Sequence, residues 1–369
     1  MSYTSYVYIL FLNPDFHPIK TEIKIGRDWV TSYLQETSFG KKGAILADEK
    51  VSQILGIPFQ KGLGPGFDLI AIRGGEASKS REEKERLEDE LFKKKHGRDT
   101  LLIALGGGVT TDLAAYVAST YMRGVSLILV PTSLLAMVDA SIGGKTGVDT
   151  PFGKNQIGTF YFPNEIWVDT AFLSTLPKKE WSNGLAEIVK YGLILEPQIW
   201  EWIAEAPDWR EPALLEKLIP SSIQAKMKVV EKDPLEQTGY RRILNFGHTI
   251  GHGLELVSNY GMDHGQAVAL GCIAESYLSH LLGYLSKKDL ERILKLYGNL
   301  PFDLKWLSHF SPHALWEAML MDKKSKGGEI RCVLIEQIGK CVPFEGNYCR
   351  TVSRSELEST FDWMQKAYS

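Results

Sequence analysis

Cysteine is scarce in this sequence. There are only four among the 369 residues, and no two of them form a C-x-x-C pair: Cys272, Cys332, Cys341 and Cys349. This spacing argues against a disulfide framework and against the usual thiolate zinc site. Scattered thiols that serve as small core residues are typical of a reducing cytosol, so we expect a cytoplasmic protein.

Long apolar runs and basic blocks are also lacking. No run approaches the roughly 18 apolar residues of a membrane-spanning helix. The N-terminal stretch M-S-Y-T-S-Y-V-Y-I-L-F-L-N-P has no basic start and no small-residue cleavage site, so we predict a strand there and not a signal peptide. The net charge is −3 and Lys93–Lys95 is the only lysine run. We therefore expect neither nucleic acid nor a membrane as a partner.

What the chain does have is an α/β pattern in its first half. A length of 369 residues with 44% hydrophobic content suffices for a large core and two domains. Short apolar runs alternate with charged, helix-like stretches, at Ala44–Leu46, Phe67–Ile72, Thr100–Leu105 and Val125–Val130. Because strands that alternate with helices pair in parallel, we predict a Rossmann-like α/β domain over residues 1–176.

Helical periods replace this alternation from about Leu176, and strand-like runs return only at Ile330–Ile335. We predict a mainly α-helical domain over residues 177–369, with one helix at Glu180–Ile194.

Glycines follow the third predicted strand. Gly106, Gly107 and Gly108 stand before a predicted helix at Asp112–Thr120, where backbone N–H groups and the helix N-terminus could bind a phosphate. The string G-G-G-V-T-T-D is not the G-x-G-x-x-G fingerprint, so a tight strand-to-helix connection explains it equally well. Asp48, which ends an earlier strand, could bind a ribose hydroxyl and would favour NAD over NADP.

A second glycine-rich segment contains Gly144, Lys145 and Thr146, as the end of a P-loop does. The glycine that a P-loop requires five residues before Gly144 is Asp139 here, which excludes a nucleotide triphosphatase of that type. The segment presents Lys145, Lys154 and Asn155 either as ligands for anions and hydroxyls or as solvated side chains of a surface loop.

The second half carries a candidate metal site. Glu187 and Lys190 lie one helical turn apart, His248 and His252 lie one turn apart, and His264 follows. One Glu and two His are the ligand set of a catalytic zinc, although spacing does not tell which two histidines bind. Each histidine could instead be a core or capping residue, and the Glu–Lys pair could be an exposed ion pair worth a few tenths of a kcal/mol.

Taken together and in order, the motifs resemble those of the 3-dehydroquinate synthase family, from about Asp48 to Ile338. They include G-G-E-A-S-K-S, A-L-G-G-G-V, Y-M-R-G, I-G-G-K-T-G-V, P-F-G-K-N-Q-I-G, S-N-G-L-A-E-I-V-K, L-N-F-G-H-T-I-G-H, H-G-Q-A-V-A-L-G and M-D-K-K. This resemblance implies zinc, or cobalt in its place, bound by Glu187, His248 and His264. It also implies that His252 contacts the substrate and assists proton transfer.

The same resemblance implies the remaining site residues. The NAD site would comprise Asp48, Glu76, Lys79, Gly107, Gly108, Asp112, Thr132, Ser133, Asp139, Lys145, Lys154, Phe172 and Thr175. Substrate contacts would come from Asp139, Lys145, Lys154, Asn155, Lys190, Lys226, Arg241, Asn245 and Lys323. Arg123 is implied to reach the phosphate site of a neighbouring subunit, so a homodimer is expected.

The family's reaction converts a small molecule, 3-deoxy-D-arabino-heptulosonate 7-phosphate, to 3-dehydroquinate and phosphate in the shikimate pathway of aromatic amino acid biosynthesis. The resemblance implies transient oxidation by NAD, elimination of phosphate, re-reduction and an intramolecular aldol closure. A substrate with both a carboxylate and a phosphate accounts for the many Lys and Arg residues in the motifs.

Departures from the family pattern occur at Gln266, where an amide is expected to replace the usual acid in orienting His264, at Ala140 in place of Ser, and at Thr111 in place of Gly. One extra residue lies between Asp233 and Gly239. Other sugar-phosphate cyclases, of the 2-deoxy-scyllo-inosose synthase or 2-epi-5-epi-valiolone synthase types, and glycerol dehydrogenases share the two-domain plan. A metal- and nucleotide-binding protein without catalytic activity is a further alternative.

Overall fold

We describe the chain from a computed structural model, which covers residues 6–12, 19–37, 39, 42–321 and 329–368. The chain divides between Trp181 and Ser182 into two compact units. The sequence pattern places this boundary at residue 176, just after the 3-10 turn Thr170–Thr175.

The first unit contains a seven-stranded sheet in the spatial order β1-β2-β9-β6-β5-β3-β4. All neighbouring strands are parallel except β1 and β2, which pair antiparallel at one edge. A separate hairpin is formed by β7 and β8. The strands are β1 Tyr6–Leu12, β2 Ile19–Gly26, β3 Gly43–Asp48, β4 Phe67–Ile72, β5 Leu101–Gly106, β6 Ser126–Pro131, β7 Val148–Thr150, β8 Gly153–Ile157 and β9 Glu165–Asp169.

The apolar runs of the sequence form the centre of this sheet. Every residue of β5 is buried, as are all residues of β3 except Asp48, because parallel strands that are covered on both faces need continuous apolar sequence. The strands predicted at Ala44–Leu46, Phe67–Ile72, Thr100–Leu105 and Val125–Val130 are confirmed. Helices of this unit are α1 Val30–Glu36, α2 Glu49–Val51, α3 Ile57–Leu63, α4 Arg81–Lys93 and α5 Gly108–Thr120.

The second unit is mainly helical, as predicted. Its helices are α6 Lys178–Ile194, which begins in the first unit, α7 Pro197–Glu205, α8 Pro212–Lys232, α9 His248–Val257, α10 His264–Leu281, α11 Lys287–Asn299, α12 Pro312–Met321 and α13 Arg354–Tyr368. Short strands form two small sheets: β10 Arg331–Cys332 with β13 Arg350–Thr351, and β11 Ile335–Gln337 with β12 Lys340–Cys341. Within the described ranges, none of the helices combines the length and the apolar character needed to cross a membrane.

Candidate active site

Seven of the predicted NAD residues lie at or just after the carboxyl ends of four adjacent parallel strands, β9, β6, β5 and β3. They are Asp48, Gly107, Gly108, Thr132, Ser133, Phe172 and Thr175. Open α/β sheets bind their ligands in the crevice outside these ends. The topology therefore brings together residues as far apart in the sequence as Asp48 and Thr175.

The glycine turn after β5 lies against the segment that follows β6. A Cβ atom at Gly107 would lie 3.4 Å from Ser133 Oγ, and one at Gly108 would lie 3.3 Å from Ala140 Cβ. The hydroxyl of Thr111 donates to Gly108 O at 3.0 Å, so the side chain at this departure from the family bonds to its own helix. The helix also starts earlier than the predicted Asp112, at Gly108.

Lys79 joins two groups of predicted residues. It is 4% exposed, and its Nζ donates to Asp112 Oδ2 at 2.6 Å and to Asn155 Oδ1. Burial alone would lower the pKa of Lys79, but the neighbouring Asp112 carboxylate raises it above its usual value. A predicted NAD ligand and a predicted substrate ligand thus meet at one buried ammonium group.

The remaining predicted residues of the first unit lie outside the seven-stranded sheet, with Lys154 in β8 of the hairpin and the others in turns and connecting segments. Glu76, Lys145 and Lys154 are exposed, and Asp139 is half-buried in the π-helical turn Ala136–Ala140. Arg123 is exposed in a turn whose backbone is left-handed at three successive residues, with φ of 51° at Met122, 68° at Arg123 and 111° at Gly124. Residues other than glycine rarely adopt this backbone conformation.

In the second unit, three helices bring Glu187, His248 and His264 together. Glu187 lies in α6, and the two histidines are the first residues of α9 and α10. Glu187 Oε1 lies 3.3 Å from His248 Nε2 and 3.4 Å from His264 Nε2. Glu187 is 0% exposed and Lys190, its ion-pair partner, is 2% exposed. The alternative of an exposed Glu–Lys pair is therefore wrong.

This cluster fits a divalent metal ion. One donor atom from each of the three residues lies within 4.8 Å of the others. Ligand atoms about 2.1 Å from a tetrahedral zinc are roughly 3.4 Å apart, close to the two Nε2–Oε1 distances. Although these nitrogens are within ion-pair range, neither Glu187 oxygen has a hydrogen-bond partner of good geometry among the described residues. Buried oxygens in that condition are suited to a cation.

The tautomer of His248 is also the one that a metal ligand at Nε2 requires. Its Nδ1 lies 3.1 Å from the carbonyl oxygen of Phe246, which can only accept, so Nδ1 carries the proton and Nε2 presents a lone pair. Burial and the nearby Lys190 lower the pKa of His248 to about 4, which keeps this ring neutral. Burial alone would raise the pKa of Glu187, but Lys190 and His248 hold it well below its usual range.

His264 is oriented by a residue that the sequence patterns do not single out. Its Nδ1 lies 3.3 Å from Oε1 of the buried Glu255 in α9. Burial alone would lower the pKa of His264, but the Glu187 and Glu255 carboxylates raise it to about 9. The expectation that an amide at Gln266 takes over this role is wrong, because that amide pairs with both backbone groups of Asp303, at 2.9 and 3.0 Å.

His252 lies beside the two histidines of this cluster, and Asn183 supports the helix that carries His264. The His252 ring lies 5.5 Å from the His248 ring and 6.4 Å from the His264 ring, between centroids. Asn183, in α6 one turn before Glu187, accepts from the backbone N–H of Gly265 at 2.9 Å. A Cβ atom at Gly265 would lie 2.4 Å from Asn183 Cα. The start of α10, with His264, is therefore held directly against α6.

Two further predicted cations are buried. Lys226 in α8 is 7% exposed, and Arg241 in the 3-10 turn Tyr240–Asn245 is 2% exposed. Asn245 ends that turn, three residues before His248. Lys323 lies outside the described residues. The extra residue between Asp233 and Gly239 lies in a loop in which the Asp233 carboxylate accepts backbone N–H groups, including that of Arg241 at 3.1 Å.

Comparison with known proteins gives matches to two family models. Residues 69–183 match 3-dehydroquinate synthase N-terminal, and residues 184–325 match 3-dehydroquinate synthase C-terminal. The 3-dehydroquinate synthase of Pseudomonas aeruginosa (strain UCBPP-PA14) is 38% identical over 327 residues, which are 87% of this chain and 88% of that protein.

Solved structures with the same fold include two sugar-phosphate cyclases. A 2-deoxy-scyllo-inosose synthase in complex with carbaglucose-6-phosphate, NAD+ and Co2+ has a TM-score of 0.81 at 23% identity, over 98% of this chain and 99% of that one. A 2-epi-5-epi-valiolone synthase from Streptomyces hygroscopicus subsp. jinggangensis 5008, with NAD+ and Zn2+ bound, has a TM-score of 0.82 at 23% identity, over 94% and 96%.

Proposed function

The chain belongs to the 3-dehydroquinate synthase family, and from this premise we propose how its residues divide the work of the reaction. Its function is that of a 3-dehydroquinate synthase, a cyclase that acts on a sugar phosphate and uses NAD and a divalent metal ion. In the finer description that we propose, it is a carbon–oxygen lyase. It converts 3-deoxy-D-arabino-heptulosonate 7-phosphate to 3-dehydroquinate and phosphate.

The observation that carries this proposal is the buried Glu187 carboxylate between two imidazole nitrogens, at 3.3 and 3.4 Å. Three protein donors leave a coordination position for substrate, so we assign the metal, zinc or cobalt, to Glu187, His248 and His264. When bound, the metal lowers the pKa of a substrate hydroxyl and NAD accepts a hydride. His252, one turn along α9 from His248, is in our proposal the residue that holds the transferred proton at a ring nitrogen.

The buried cations support an anionic substrate. Lys190, Lys226 and Arg241 are each less than 10% exposed, and an anionic substrate that binds where water is excluded needs positive charge close by. We assign them to the carboxylate and phosphate groups of the substrate, together with Asn245 and, outside the described residues, Lys323. Four residues of the first unit are proposed as further substrate contacts: Asp139, Lys145 and, in β8, Lys154 and Asn155.

We assign NAD to the carboxyl edge of the sheet in the first unit. The support is the row of predicted residues that follows β3, β5, β6 and β9, with the glycine turn at the start of α5. Backbone N–H groups at the start of a helix bind phosphates well. The adjacent Lys79 and Asp112 pair, with Glu76, is proposed as a further part of this site.

Phosphate release tests the proposed reaction. Purified protein should release phosphate from the heptulosonate phosphate, and the release should stop when NAD is omitted or a chelator is added. A heptulose phosphate without the carboxylate is the comparison substrate. Preferential turnover of that compound would assign the chain to another cyclase type, and binding of NAD and zinc without phosphate release would identify a protein that lacks the activity.

Substitution of a proposed ligand tests the metal assignment. His248→Ala should lower the zinc content of the purified protein to near zero and abolish turnover, while the far-ultraviolet circular dichroism stays that of the wild type. His313→Ala is the matched control, because His313 lies in α12 with 70% of its side chain exposed, and it should retain zinc. Wild-type zinc content in the His248 variant would contradict the ligand assignment.

We also propose that the protein works as a homodimer in the cytoplasm. The strained, exposed turn at Arg123 supports the first point, because such strain is usually kept where it presents a side chain for function. Arg123→Ala subunits mixed with Lys190→Ala subunits should regain part of the activity, which verified mixed dimers without any activity would disprove. The four cysteines are all free thiols, which supports a reducing compartment.

A further inference from the structure

We propose that two buried carboxylates, Glu255 in α9 and Glu275 in α10, position the metal-binding histidines. Each carboxylate binds the start of the helix to which it does not itself belong. Glu255 contacts the ring of His264, the first residue of α10, and Glu275 binds the backbone at the start of α9, where His248 lies. The inference rests on the metal assignment made above and adds two residues that do not touch the metal themselves.

Glu275 takes the place of a missing helix cap. Its side chain is 0% exposed, and it accepts from the backbone N–H of Gly247 at 2.7 Å and of Ile250 at 3.3 Å. Gly247 stands at the N-cap position of α9 and lacks the side chain that would ordinarily accept from the N–H of Ile250. A carboxylate from the neighbouring helix therefore does so, and its negative charge favours the positive end of α9.

Glycine is required at position 247 for two reasons. Its φ of 78° is left-handed, and a Cβ atom there would lie 2.4 Å from Cys272 Sγ in α10. An ordinary capping residue, such as Ser or Asp, would not fit at this contact. Because Gly247 directly precedes His248, the Glu275–Gly247 hydrogen bond fixes the backbone from which the His248 ring extends.

Glu255 acts on the other histidine through a side-chain contact. Its Oε1 lies 3.3 Å from His264 Nδ1, while His264 Nε2 faces Glu187 at 3.4 Å. An Nδ1–H that donates to a carboxylate fixes the tautomer and the ring orientation, and it makes Nε2 a better ligand. His248 has the same arrangement with the Phe246 carbonyl at its Nδ1. Both rings thus direct Nε2 toward Glu187.

The alternative is that Glu255 itself binds a metal ion. His252, Glu255 and His264 also have donor atoms within 4.8 Å of one another. In that arrangement His264 would bind through Nδ1. The positioning role is favoured because the Glu255–His264 contact has hydrogen-bond geometry, whereas among the described residues the buried oxygens of Glu187 have no hydrogen-bond partner of good geometry.

Zinc affinity measured on metal-depleted protein is the main test. In competition with a chromogenic chelator, Glu255→Gln and Glu275→Gln should bind Zn2+ at least about 10-fold more weakly than the wild type, and Glu255→Ala up to about 100-fold more weakly. The increase in Tm that zinc produces should shrink accordingly. A purely structural role would instead lower the Tm of the metal-free and zinc-loaded proteins equally and leave the affinity unchanged.

Ser279→Ala is the matched control. Ser279 is a buried polar residue one turn after Glu275 in α10, and its hydroxyl donates to Glu275 O at 2.6 Å and accepts from Ile335 N at 3.1 Å. This variant should lose stability but bind zinc as the wild type does. Wild-type zinc affinity in both folded Gln variants would overturn the inference. Absence of zinc binding by the wild type, or undiminished binding by His248→Ala, would overturn the metal assignment as well.

A measurement on the zinc-loaded wild type avoids any variant that fails to fold. Long-range 15N–1H spectra of histidine-labelled protein should show a proton on Nδ1 and none on Nε2 for both His248 and His264. A proton on Nε2 of His264 and none on Nδ1 would mean that the metal binds Nδ1, and this would overturn the role proposed for Glu255.

Discussion

A methyl group at Gly271 would disrupt the contact on which the metal-binding helices depend. Gly271 lies in α10, and a Cβ atom there would lie 1.9 Å from Gly247 O and 2.9 Å from Gly251 N. Both neighbours are backbone atoms, which cannot rotate away as a side chain can. In Gly271→Ala, α9 must therefore move away from α10.

The magnitude follows from the size of the overlap. Adding a methyl group to a well-packed core costs typically 1–3 kcal/mol, and we expect about 3 kcal/mol less free energy of unfolding because the overlap is with backbone. The same movement separates His248 from His264, at the starts of the two helices. We therefore expect zinc to bind on the order of 10-fold more weakly, as when the supports of metal ligands are disturbed.

Gly298→Ala is the matched control for this prediction. Gly298 lies in α11, where an added Cβ atom would meet no described heavy atom within 4 Å apart from its chain neighbours and the backbone of its own helix. Alanine is favoured over glycine in helices, so this variant should gain roughly 0.5–1 kcal/mol. Urea unfolding of the metal-free proteins and chelator competition measure the two effects. A Gly271→Ala protein with wild-type stability and zinc affinity would refute the close packing of α9 and α10.

Two further substitutions test electrostatics and hydrogen bonding away from the metal. Burial alone would raise the pKa of Glu83, but Arg86 and Arg73 lower it to about 2. The ionised Glu83 therefore contributes to the free energy of unfolding above pH about 4.5, and this contribution is lost as the pH falls toward 2. Glu83→Gln should thus lower the free energy of unfolding by about 1–2 kcal/mol at pH 7, after allowance for the exposed arginines, and by almost nothing near pH 2. An equal loss at both pH values in urea titrations would contradict this. Gln266→Glu should lower the free energy of unfolding by about 1 kcal/mol and leave the zinc content unchanged, because a carboxylate cannot donate to Asp303 O. Undiminished stability in the same urea titrations would rule out the Gln266–Asp303 pairing.

Much of the fold could be predicted because its signals are local. Apolar runs predicted the strands β3 to β6, and the helical periods predicted a mainly helical second half, since each pattern depends on residues within one element. The glycine triplet predicted the turn at the end of β5, although not the early start of α5 at Gly108. Family membership was also within reach of the sequence, because a dozen short motifs keep their order along the chain.

The site roles stay predictions, but the structure decides which of these side chains can meet. Spacing along the chain could not choose among His248, His252 and His264 as partners of Glu187, and it left open whether the Glu187–Lys190 pair is exposed. Only the packing of three helices places two Nε2 atoms beside one buried carboxylate.

The sequence by itself determined the order of strands and helices and the chemical groups that each one carries. Tertiary structure alone decided that Glu275 binds the backbone of Gly247, 28 positions away, and that Glu255 faces His264. The physical reason is that a contact between two helices depends on how closely their backbones approach, which here is set by glycines at the crossing. No periodicity within one helix reports that distance.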